Sequence, residues 1–276
     1  MRNILCVTLI ALLGGCTSTS VTEKYQDKRN DIINVKDKVI ELETGNVLIG
    51  SVSRLYMSNK CLLIADHKSV DKQIHIFNKN DFSYLTSIGN FGEGPEEITV
   101  MGCLAIDEAH HQLYVSDHAK QKIFSYDMDS VMVDSLYKPQ VKTAMNETLF
   151  PSEYQYINDT LSIAVLIKPT STSTFNQFLG RWNMNTGEMI PMKYTHPDIQ
   201  KKRITFAASE KAGIYVECYT RHDLMTICSL DGELLYNIYG PDWDGGNGNK
   251  LQSFGTVMTG NDKIFVSYCG EDYARD

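Results

Sequence analysis

The chain has 276 residues, a formal net charge of −8, 42% hydrophobic and 22% charged residues, and seven cysteines. An acidic balance without a Lys/Arg-rich cluster argues against nucleic acid as a partner, because phosphate binding needs a concentrated basic surface.

At the N-terminus Arg2 supplies one positive charge, an apolar run follows from Ile4 to Leu13, and the run closes on Leu13-Gly14-Gly15-Cys16. Such a run is shorter than the roughly 17–25 residues a spanning helix needs. It fits the apolar stretch of an export signal, with small residues where a signal protease would cut. Leu13, two small residues and Cys16 together resemble the lipobox of bacterial lipoproteins, with Gly14 where Ala or Ser is usual. The resemblance implies a diacylglycerol thioether on Cys16 and, after cleavage, an N-acyl chain. Each buried lipid CH₂ contributes ~0.8 kcal/mol, so several chains hold where one would not.

Residues 1–15 are therefore expected to be a signal peptide. Residues 16–38, polar and charged, are expected to be the lipidated cysteine and a flexible tether. Thr17 rather than Asp follows Cys16, which in enteric-type sorting permits transfer to an outer membrane, facing the periplasm or the surface. No later segment approaches about eighteen apolar residues, so no other span is expected. With Cys6 in the signal and Cys16 lipidated, Cys61, Cys103, Cys218, Cys228 and Cys269 remain. No two lie at CxxC spacing, so neither a disulfide framework nor a zinc site is signalled. Most sit in apolar strand patterns, where a thiol acts as a small hydrophobe.

Beyond the tether a repeat emerges. Leu62-Leu63-Ile64-Ala65-Asp66-His67 matches Leu113-Tyr114-Val115-Ser116-Asp117-His118 at an offset of 51, and weaker echoes begin at Leu161, Ile214 and Ile264. Each period reads as strands of about four to eight residues separated by turn signals. In the second period the expected strands are Cys103 to Asp107, Gln112 to Asp117, Lys122 to Asp127 and Val131 to Tyr137. Between Gln121 and Asp127, Ile123 faces one way and Phe124 with Tyr126 the other, as in a sheet packed on both sides. Four strands repeating at about fifty residues predict an all-β fold, a β-propeller.

Tyr114-Val115-Ser116-Asp117 followed by Gln121-Lys122-Ile123-Phe124-Ser125-Tyr126-Asp127 resembles an NHL repeat, and Ile88 to Glu97 resembles the Gly-rich link of that family. With the lipobox, the chain is similar to the six-bladed, NHL-like or TolB-like propeller lipoproteins of Gram-negative bacteria. The resemblance covers most of residues 39–276 as architecture, with recognisable motifs in two blades. Six blades of about fifty residues need about three hundred. Four periods and the first two strands of a fifth are visible, about four and a half blades, so a C-terminally truncated propeller is expected.

Asp66-His67 and Asp117-His118 follow the second strand of adjacent blades, on the face that carries the blade-to-blade links. Arg221-His222-Asp223 and Glu271-Asp272 fall at the corresponding loop. Two readings compete for the first two pairs. Two His and two Asp suit a divalent metal such as zinc; alternatively, the Asp ties its own turn by accepting from backbone N–H groups. The Gly92 to Glu97 loop lacks Lys-Ser/Thr and a following helix, so it reads as a turn rather than a phosphate cradle. Asp242 to Asn249 lacks EF-hand spacing, while Trp243 offers a stacking surface for a sugar or peptide. His110-His111 reads as a solvated hairpin turn. Neither GxSxG nor HExxH occurs.

The expected function is a membrane-anchored, non-catalytic propeller of the cell envelope that binds a protein, peptide or glycan without a cofactor. Its candidate ligand residues are Asp66, His67, Asp117, His118, Arg221, His222 and Trp243. The alternative is a metal-dependent hydrolase or lyase using Asp66, His67, Asp117 and His118 at the axial face; fold alone does not choose between them.

Overall fold

The computed structural model describes residues 21–29, 36–38, 40–134, 136–200, 203–245 and 251–272. The expected signal peptide and Cys16 lie outside these residues. A short strand, β1 (Glu23–Tyr25), precedes five antiparallel sheets. The first is β2 (Ser53–Met57), β3 (Cys61–Asp66), β4 (Lys72–Asn78) and β5 (Tyr84–Asn90). The second is β6 (Met101–Asp107), β7 (Gln112–Asp117), β8 (Lys122–Asp127) and β9 (Gln140–Ala144), and the third is β10 (Phe150–Asn158), β11 (Leu161–Pro169), β12 (Phe175–Trp182) and β13 (Met189–Pro191). β14 (Ile204–Ser209), β15 (Ile214–Tyr219), β16 (Leu224–Ser229) and β17 (Leu234–Tyr239) form the fourth, and β18 (Leu251–Gly260) pairs with β19 (Lys263–Asp272) in the fifth. The five sequence echoes are the second strands β3, β7, β11, β15 and β19, and each sheet is a blade.

Alternation along the second strands explains the stacking. In blade two Leu113 and Val115 pack with Leu63, Ala65 and Ile74 of blade one, while Tyr114 faces Tyr154, Ala164 and Leu166 of blade three. Ile163 and Val165 pack on Tyr215 and Tyr219 of blade four, whose Val216 and Cys218 turn to Phe254 and Val257 of blade five. Each fully buried aliphatic side chain contributes about 1.5–3 kcal/mol, so the stack is held by four apolar layers rather than one centre. One cysteine enters each layer: Cys61 between blades one and two, Cys103 between two and three, Cys228 between three and four, and Cys218 between four and five. All four are buried free thiols, and burial pushes Cys103 up to about 12. At the ends of the stack, Leu55 and Met57 of blade one and Met258 and Phe265 of blade five are exposed.

Two sequence expectations are corrected. Val131 to Tyr137 is not the fourth strand of blade two. Residues Met128–Val133 form a short α-helix whose N-cap, Asp127, accepts from the Ser130 amide at 2.7 Å, and β9 follows it. The cap and the local turn outweigh the β-branched composition. Nor is the polar segment 16–38 a uniform tether. β1 adds to the outer edge of blade four, parallel to β17, with Tyr25 opposite Tyr239, and Lys36–Lys38 form a 3₁₀ turn. Among the described residues no helix is long and apolar enough to cross a membrane.

Candidate binding face

Each blade meanders, so the link into its first strand and the turn between its second and third strands lie on one face, called here the link face. The hairpins joining strands one to two and three to four lie on the opposite face.

On the link face the aspartates act as clamps. Asp66, buried at the end of β3, accepts from the Gly50 amide at 2.7 Å and the Lys68 amide at 2.9 Å. Burial alone would raise its pKa, but these hydrogen bonds, with nearby His75, outweigh it and hold the carboxyl below its ordinary value. Asp117, fully buried, accepts from Thr99 (2.8 Å), Val100 (3.2 Å), Ala119 (2.9 Å) and Lys120 (3.2 Å) amides. It thereby ties the incoming link to its own turn. The turn-tying alternative thus has its hydrogen bonds in place in both blades.

Blade four departs from this register. Tyr219, paired with Ile204, takes the place that Asp117 holds opposite Met101. Asp223 stands instead just before the third strand, where its carbonyl accepts from the Gly240 amide as that of Asp71 accepts from Phe91. Its buried carboxylate accepts from the Asp242 amide at 3.1 Å and from Arg29 Nη2 at 2.6 Å. Asp223 therefore ties the outgoing link, and the N-terminal segment with it.

The histidines are arranged differently. His67 Nδ1 lies 3.2 Å from the Met101 carbonyl, which can only accept, so Nδ1 carries the proton and Nε2 keeps its lone pair. His67 Nε2 is buried without a hydrogen-bond partner, and so is His118 Nε2. His118 packs over Gly102, where an added Cβ would stand 2.4 Å from Nε2, and its ring meets Phe150 edge-on at 5.9 Å. Burial lowers the pKa of both imidazoles, and the neighbouring His67 lowers His118 further. Both rings thus approach β6 from adjacent blades in the neutral form, with the Nε2 of His67 an acceptor.

Arg221, His222 and Trp243 belong to a second group, on blade four. Arg221 is exposed, while His222 is buried, with Nδ1 unpartnered. Trp243 packs against Tyr239 (5.0 Å), His196 (5.6 Å) and His222 (6.0 Å). Its ring is half-buried among these neighbours. For the metal alternative, no three of Asp66, His67, Asp117 and His118 come within mutual ligand reach.

Two features were not among the sequence candidates. Arg54 on β2 pairs with Glu153 on β10 at 2.6 Å, reaching past blade two, and Tyr56 beside it is pushed up to about 12 by burial. On the opposite face Asp107, His110 and Asp159 bring ligand atoms within 4.8 Å of one another. His110 Nδ1 lies 2.7 Å from Asp107, and the Tyr156 hydroxyl donates to Asp159 at 2.7 Å, so the trio is satisfied internally. The offset of 52 between Asp107 and Asp159, one blade, was the available clue.

Comparison with known families matches residues 17–219 to DUF5128, a 6-bladed beta-propeller. The chain belongs to this family. Among solved structures it is similar to a protein described as exported, from Bacteroides fragilis NCTC 9343, with a TM-score of 0.53 and 15% identity, over 90% of this chain and 73% of that one. It also resembles a DUF4221 member from Bacteroides vulgatus ATCC 8482, with a TM-score of 0.47 and 12% identity, over 66% of this chain and 56% of that one. At such identities the likeness speaks to fold alone. No curated protein matches.

Proposed function

We propose that this propeller is a lipid-anchored, non-catalytic binding module of the cell envelope, holding a protein, peptide or glycan on its link face. The observation that carries the binding role is the pair of buried, unpartnered Nε2 atoms of His67 and His118 beside β6. A buried acceptor left unmatched costs about 1–3 kcal/mol, so a ligand hydroxyl or amide N–H placed there recovers what the fold forgoes. The anchor rests on the lipobox at Cys16, and export agrees with the description of the Bacteroides fragilis structure.

Two measurements test this reading. Labelled fatty acid should enter the wild-type chain and not Cys16→Ala; equal labelling would refute the anchor. The full lipidated chain in detergent, screened on peptide and glycan arrays, should bind a ligand that His67→Leu/His118→Leu loses; binding untouched by the double substitution would refute the site. The hydrolase or lyase alternative is left with two imidazoles and no free carboxylate from its own set. Stoichiometric divalent metal in the purified chain, lost in the same variant, would revive it.

A further inference from the structure

The N-terminal segment is bound to the propeller far closer to Cys16 than its composition suggests. β1 continues blade four as a fifth strand, in register Glu23 with Asn237 and Tyr25 with Tyr239. Tyr25 stacks on Tyr239, with ring centroids at 4.6 Å and planes 14° apart. The Glu23 carboxylate accepts from Asn237 Nδ2 and the Tyr239 hydroxyl. Four residues beyond β1, Arg29 pairs with buried Asp223 and lies 3.7 Å over the Tyr268 ring of blade five. A flexible tether over 16–38 would have a root-mean-square span of about 26 Å and a contour of about 75 Å, and would leave orientation free. With the segment docked from residue 22 onward, five residue steps separate Cys16 from Val21, a reach of at most about 18 Å.

The direction of β1 is equally informative. β17 runs from the turn at Ser229 to Glu233, on the opposite face, to Gly240 on the link face. β1 is parallel to it, so the chain enters from the opposite-face end of blade four and travels toward the link face. In that register Val21 falls alongside Leu235, and it is exposed. For the link face to meet a bilayer, the residues between Cys16 and Val21 would have to double back along four strand residues, about 13 Å, and then clear the link at 240–245. That would use nearly all of the available reach.

We infer that the opposite-face end of blade four is the membrane-proximal part of the propeller, and that the link face is turned away from the bilayer. The inference rests on lipidation of Cys16. It makes β1 the element that fixes orientation, and it turns the loops that carry His67 and His118 toward the aqueous side.

The test uses the full lipidated chain in vesicles of phosphatidylethanolamine and phosphatidylglycerol. Cys269→Ser removes the exposed thiol, and the other described cysteines are buried. A dye is placed on Asp231→Cys, at the opposite-face turn of blade four, or on Pro241→Cys, at its link; both positions are exposed. With an acceptor on the lipid headgroups, the dye at 231 should lose most of its emission and the dye at 241 little. Equal or reversed quenching in a chain that floats with the vesicles overturns the orientation and leaves the anchor standing. A chain that fails to float overturns both. Tyr25→Pro, which disrupts β1, should abolish the difference between the two dyes; a difference that persists would overturn the role given to β1.

Discussion

The Asp66 carboxylate accepts from the Gly50 amide at 2.7 Å, in a space where a Cβ on Gly50 would stand 2.8 Å from Asp66 Oδ1. The clamp thus needs both a buried acid and a bare backbone on the link that it grips. Gly50→Ala should push the carboxylate off the link and destabilise the chain by about 1–2 kcal/mol, read as a lower denaturant midpoint. An unchanged midpoint would mean that the first clamp is slack.

Asp117→Ala is expected to be more severe, because four backbone donors lose their acceptor inside the fold. A loss of about 3 kcal/mol follows, or a Tm lower by roughly 6–12 °C. Asp117→Asn keeps one carbonyl oxygen and should fall between the two. Calorimetry on the three proteins checks the order; an alanine variant that melts with the wild type would refute the clamp.

Much of this was legible in the sequence because the second strands of blades one to four are buried on both sides, and those of the first two repeat the same pattern, as Leu62 to His67 and Leu113 to His118 do. The outer strands carry no such signal. In β9, Gln140 and Val141 are exposed and Lys142 and Thr143 half-buried, whereas Val131, Met132 and Val133 look like a strand and are wound into a helix by the Asp127 cap. β1 is three residues long and finds its partner 214 positions away, which no local periodicity can announce. The two Asp-His pairs were visible, but which atoms are committed was not. That depends on the links at Gly50, Thr99 and Val100, and on Met101 facing His67.

Acid should weaken the fold first through its imidazoles. Burial lowers the pKa of His67, His75, His118 and His222 in the folded state, so the unfolded chain takes up protons first as pH falls below about 6.5. Stability is present above that value and lost as pH descends through the folded values. Denaturant midpoints measured between pH 7.5 and 5 (about two and a half decades of proton activity on the imidazole range) should decline, and His67→Gln/His118→Gln should flatten the slope. Because His110, raised by Asp107, contributes with the opposite sign, the change in slope is the test: a slope that the double substitution leaves unchanged would contradict the burial of His67 and His118.

Arg29→Ala removes the guanidinium that meets buried Asp223 and covers Tyr268. Because Arg29 is partly exposed and Asp223 keeps the Asp242 amide, the expected loss is about 1–2 kcal/mol. The sharper readout is local. Trypsin should cut at Lys24 or Lys28 faster in the variant, since β1 loses its downstream fastening. Equal cleavage rates would show that β1 stands without Arg29.

Gly102→Ala tests the seat of His118. A methyl group 2.4 Å from Nε2 must displace the ring, which should move the His118 imidazole ¹⁵N resonances while those of His75 stay in place. An unmoved His118 signal would place the ring elsewhere.

The distribution of cysteines bears on how the thiols of this chain avoid one another. Cys61, Cys103, Cys228 and Cys218 each occupy a different inter-blade layer, so no two can meet while the blades are stacked. In an oxidising compartment the danger to these thiols is confined to the interval before stacking, when any pair can collide. Stacking thus separates these four thiols into four different apolar layers, each out of reach of the others.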